Sequence, residues 1–163
     1  MDYNLFENLY KYKETENKSQ LENFLTELFV YVLKSLIFQK NEVIITLLND
    51  KFHIPFTKND FDNIEIDTQI RYDTSDDYHP QPDISIINNN SDLYLIESKV
   101  DSSLNQYDDI DQIQLYESVI TDYKLKGVRT LTKYEIYTKD RDEYKLFNAE
   151  KHKVFWYQIY ELL

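Results

Sequence analysis

The segment DLYLIESKV, Asp92 to Val100, constrains the fold more than any other part of this 163-residue chain. Side chains alternate along a strand, so Leu93, Leu95, Glu97 and Lys99 share one face, and Tyr94, Ile96, Ser98 and Val100 the other. Both faces begin apolar, the pattern of a strand in the middle of a sheet and covered on both sides. Such a strand carries Glu97 and Lys99 toward the interior, where an unpaired charge is costly.

A second strand precedes it, opened by Pro82 at a position where a missing N–H is tolerated. The turn-rich NNNSD separates the two and predicts a hairpin. A hairpin centred on Asn90 pairs residues whose numbers sum to 180, which sets Asp83 opposite Glu97. Opposed residues have Cβ atoms about 4.5–5.5 Å apart, and two carboxylates at that distance repel unless a cation or proton lies between them. Lys99 supplies one positive charge on the same face but has no lone pair to offer a metal while protonated. The pair suits a hard divalent cation such as Mg²⁺, which is bound through one or two carboxylates and keeps several waters.

Around this hairpin the pattern predicts a mixed sheet flanked by helices, α/β to α+β in class. Residues 19–39 read as a helix, with Ser19 and Glu22 as a capping box and Leu21, Phe24, Leu25, Leu28, Val32 and Leu36 at helical spacing. A second helix is expected over roughly 42–50, and 63–73 alternates as a strand with Ile64, Ile66, Thr68 and Ile70 on one face. A long helix is expected from about Asp109 to Lys126, ending at Gly127, the only glycine. Strands are expected within 128–138 and near KVFWY, with a last helical turn placing Tyr157, Tyr160 and Leu163 together. The whole chain reads as one domain.

The formal charge of −12 is uneven. Residues 1–123 hold 9 Lys and Arg against 24 Asp and Glu, whereas residues 124–153 hold 9 against 5. An acidic body argues against nonspecific gripping of nucleic acid by the chain alone. The absence of cysteine excludes disulfides and thiolate metal sites and suits a cytoplasmic setting. No signal peptide or membrane span is expected. His53, His79 and His152 lack ligand spacing, and DDIDQ lacks the glycine and closing glutamate of a calcium loop. A terminal helix ending on two leucines suggests a module boundary or a buried interface, so the chain is expected to be the N-terminal module of a longer protein or a protomer of a homo-oligomer.

Pro82-Asp83, a hairpin, then Glu97-Ser98-Lys99 resembles the PD-(D/E)XK nuclease superfamily, the restriction-endonuclease-like fold. Gln112 and Tyr116 resemble its Gln-xxx-Tyr helix element, and ENFLTELF (22–29) resembles its N-terminal helix, which often contributes a glutamate. The resemblance covers roughly residues 19–138. It implies that Asp83 and Glu97 are metal ligands, with the Ser98 carbonyl adding a third donor. It further implies that Lys99 positions or activates the attacking water, that Gln112 contacts the water shell or the phosphate, and that Glu27 is the helix carboxylate, since Glu22 has the capping role. Tyr116 is expected mainly to pack the helix. The implied activity is Mg²⁺-dependent hydrolysis of DNA, with Mn²⁺ able to substitute, in defence against foreign DNA, restriction or repair. The alternatives are an RNA-cleaving nuclease and a nuclease-like domain kept as a non-catalytic interaction or regulatory module. The acidic charge calls for a fused or partner recognition module.

Overall fold

The computed structural model describes residues 18–74, 79–88, 92–99, 106–107, 110–111, 115–116, 118–119, 130–137 and 152–163. In chain order they form helix α1 (Lys18–Phe38), a short helix α2 (Val43–Thr46) continued by a π turn (Leu47–Lys51), strands β1 (Ile64–Thr68), β2 (Ile84–Asn88) and β3 (Asp92–Lys99), a small hairpin of β4 (Gln106–Tyr107) and β5 (Ile110–Asp111), strands β6 (Thr130–Tyr137) and β7 (His152–Phe155), and helix α3 (Trp156–Tyr160). The architecture is mixed α+β.

The five longer strands lie in the order β1-β2-β3-β6-β7, which puts β3 in the middle. β1, β2 and β3 form an antiparallel meander, while β6 runs parallel to β3 and β7 parallel to β6. β3 is covered on both faces, as its sequence requires. Tyr94 and Ile96 join the larger core with Phe29, Val30 and Leu33 of α1. Leu93 and Leu95 join a smaller core on the other side with Tyr72, Tyr116 and Val119. The hairpin register is the one its centre predicts: Ile84 pairs with Ile96 and Asn88 with Asp92, every pair summing to 180.

α1 spans the expected residues but turns a different face to the sheet. Phe29, Val30 and Leu33 are buried together with Glu22, Thr26 and Glu27, while Phe24 and Leu28 are exposed. The buried face is centred about a third of a turn from the stripe of Leu21, Phe24, Leu25, Leu28, Val32 and Leu36. The helix is apolar almost all round, so periodicity alone could not choose its inner face. Ser19, expected as the N-cap, lies inside the helix rather than ahead of it, and Glu22 is buried. The C-terminal end closes with Lys40 N–H donating to Ile37 C=O and Asn41 N–H to Leu36 C=O. Lys40 there takes φ 51°, the left-handed position glycine usually fills.

Two further boundaries differ from expectation. β1 stops at Thr68 because Gln69 adopts φ 51°, which breaks the alternation and leaves Ile70 exposed. The residues expected to begin the long helix at Asp109 instead include the β4–β5 hairpin, with Tyr107 paired to Ile110. Helical geometry is seen at Leu115, Tyr116, Ser118 and Val119. The expected helix end at Gly127, the charged KDRDEYK connection and the Asn90 turn lie outside the described residues.

Tyr94 offers a first test of the packing. It is buried in the larger core opposite Ile86, and its hydroxyl has no hydrogen-bond partner among the described residues. Burial, helped by the neighbouring Asp92 carboxylate, pushes the phenol up to about 12. An unsatisfied buried hydroxyl costs about 1–3 kcal/mol. Tyr94→Phe is therefore expected to stabilise the protein by about 1 kcal/mol in urea unfolding near neutral pH. The gain should widen above pH ~10, where the unfolded phenol ionises and the folded one does not. A destabilised Phe variant would mean that the hydroxyl has a partner.

Candidate active site at the end of the central hairpin

The β2–β3 ladder ends at the Ile84–Ile96 pair, and the next residue on each strand is a carboxylate. Asp83 sits in a bend just ahead of β2, held by Gln69 N–H, which donates to the Asp83 carbonyl at 3.1 Å. Its side chain turns toward β3, where Oδ2 accepts the Ser98 amide at 2.7 Å. Asp83 thus caps the end of the ladder, and this holds its carboxylate against the Glu97–Ser98 peptide. Pro82, buried immediately before it, restricts the approach of the chain.

Glu97 is 1% exposed. Its Oε2 accepts a hydrogen bond from the Tyr116 hydroxyl. Tyr116, expected mainly to pack, does both: its ring lies in the smaller core with Leu93 and Leu95, and its hydroxyl meets the candidate carboxylate. Burying a carboxylate is costly in a low-dielectric interior, and a neutral donor does not cancel its charge.

Lys99 is the last residue of β3, in register with Tyr137 of β6. Its side chain and the whole of Gln112 lie outside what is described. Ser98 is fully buried, and its Oγ has no hydrogen-bond partner among the described residues. Glu27 is 4% exposed rather than on a solvated helix face, and its Oε1 accepts the Thr68 hydroxyl at 2.7 Å. Thr68 pairs with Ile84, so α1 delivers this carboxylate to the end of the sheet where Asp83 lies. Glu22 and Thr26 are buried on the same helix, the Thr26 hydroxyl without a partner among the described residues.

Sequence reasoning missed one residue at this level of the sheet. The parallel register of β3 and β6 sets Glu135 beside Glu97, and β7 in turn sets Lys153 beside Glu135. YEIYT reads plainly as a strand, but nothing local in it encodes a parallel register. His79 lies 2.9 Å from Asp73 in an exposed pair and is accounted for there. A hollow of about 550 Å³ along β1, lined by Lys34, Phe38, Phe61 and Asp67, includes none of the candidate residues.

The donor chemistry is that of hard oxygens. Among the described residues, no three Asp, Glu, His or Cys side chains form a metal-holding group. Two carboxylates with water and a substrate oxygen are nonetheless a sufficient set for Mg²⁺. Among the described residues, no helix is long and apolar enough to cross a membrane. No protein-family model, no curated protein and no solved structure matches this chain.

Proposed function

We propose that this chain is a single-domain, metal-dependent nuclease of the PD-(D/E)XK, restriction-endonuclease-like kind that hydrolyses phosphodiester bonds of DNA. The observation that carries the reading is the buried Glu97 at the end of the central hairpin, with the Asp83 carboxylate held on the amide of the next residue, Ser98. The element order lends support: helices, an antiparallel meander of three strands, a small hairpin and helical residues, then a strand parallel to the third.

In this reading Asp83 and Glu97 hold Mg²⁺ or Mn²⁺, with the Ser98 carbonyl as a further donor. The cation supplies positive charge where the phosphodiester becomes more negative and makes water a better nucleophile. Lys99 orients that water or draws a proton from it. Glu27, bonded to Thr68, stands at the same sheet end, and Gln112 contacts the water shell or the phosphate. The −12 charge assigns target recognition to a partner, a second copy or a fused module in the cytoplasm. A role in defence, restriction or repair fits such a module.

The test is incubation with plasmid, linear duplex, single-stranded DNA and RNA, each with Mg²⁺, Mn²⁺ or EDTA. DNA cleavage with either cation and none with EDTA is expected. Cleavage of RNA alone would reassign the substrate. Inactivity on every substrate, together with no divalent-ion binding, would favour a non-catalytic interaction module.

A further inference from the structure

We infer that Tyr116 is a positioning residue: by donating to Glu97 Oε2 from inside the smaller core, it fixes the glutamate so that the carboxylate is presented to a divalent cation. The inference rests on the reading of Asp83 and Glu97 as metal ligands. A glutamate side chain has several rotatable bonds, and a ligand that wanders among rotamers binds metal weakly. Glu97 emerges from a rigid central strand, and one of its oxygens is tied to a phenol. That phenol is itself buried, 1% exposed and packed with Leu93, Leu95, Val119 and Tyr72.

A neutral donor suits the role. It orders the carboxylate without neutralising it, as an ammonium would, so attraction for the cation is kept. Asp83 is ordered in a parallel way, one oxygen committed to the Ser98 amide. The two carboxylates are thus both oriented by hydrogen bonds, Asp83 through backbone and Glu97 through a core side chain. Partners that orient ligands in this manner are typically worth about 10–100-fold in metal affinity.

Mn²⁺ binding to the wild type, Tyr116→Phe and Tyr116→Leu, followed by electron paramagnetic resonance of the free ion, tests the assignment. Thermal unfolding of the metal-free proteins is measured alongside. Phe retains the packing and removes only the hydroxyl, while Leu keeps the site apolar should Phe disturb the core. Both variants are expected to weaken Mn²⁺ binding by about tenfold or more. A purely structural tyrosine would lower the unfolding temperature and leave the Mn²⁺ affinity unchanged, which would overturn the inference while the metal site stood. Tighter binding would also overturn it, showing that the phenol competes with the cation. Failure of the wild type to bind Mn²⁺ at millimolar concentration would remove the metal site itself and the inference with it.

Discussion

Asp83→Asn and Glu97→Gln are each expected to lower Mg²⁺-dependent DNA cleavage by on the order of 10³-fold or more, with the fold retained. A catalytic cation contributes several kcal/mol of transition-state stabilisation, and each ~1.36 kcal/mol is tenfold in rate. The amide variants separate charge from structure. The amide oxygen introduced by Asp83→Asn can still accept the Ser98 N–H, and that introduced by Glu97→Gln can still accept the Tyr116 hydroxyl. The two hydrogen bonds survive while the negative charge does not. Asp83→Ala is a poorer probe, because an unpaired Ser98 N–H would cost about 1–3 kcal/mol of stability. Calorimetric titration with Mn²⁺ should show the affinity falling in both amide variants. Activity within about tenfold of wild type in either one would remove that residue from the ligand set.

The second large effect is expected at Lys99. Replacement by Ala should lower the rate by about 10²–10⁴-fold, the range for removing a group that positions or deprotonates the nucleophile. Mn²⁺ affinity should be unchanged, since a protonated amine has no lone pair for a metal. Lys99 lies two residues beyond Glu97 on the same continuous strand, so it follows the carboxylate by strand geometry alone. Loss of metal binding together with loss of activity would instead make Lys99 a structural counter-ion to the carboxylate pair.

Much of the centre of this molecule is legible in its sequence, and the reason is local. A short hairpin leaves little freedom in register, so the pairing of Ile84 with Ile96 follows from the position of the turn. The two-sided burial of β3 follows from its apolar alternation in the same way. What is not legible depends on longer-range choices. α1 is apolar on nearly every face, so only packing decides that Glu22, Thr26 and Glu27 turn inward and Phe24 outward. Nothing within 63–73 signals that Gln69 takes a left-handed turn and ends β1. Glu135 comes beside Glu97 through a crossover whose register no local pattern specifies. The Tyr116 hydroxyl reaches Glu97 because helix and sheet pack at one particular distance, whereas the sequence shows only an aromatic residue at helical spacing.

The most direct measurement is an anomalous-scattering map from a crystal of the wild-type protein soaked in Mn²⁺. One peak is expected at the end of the β2–β3 hairpin, within about 2.0–2.2 Å of an oxygen of Asp83 and one of Glu97, the distance of a hard divalent ion to carboxylate. The same soak of Glu97→Gln should lose the peak. A wild-type crystal saturated with Mn²⁺ and showing no density between these two carboxylates would contradict the assignment of this site.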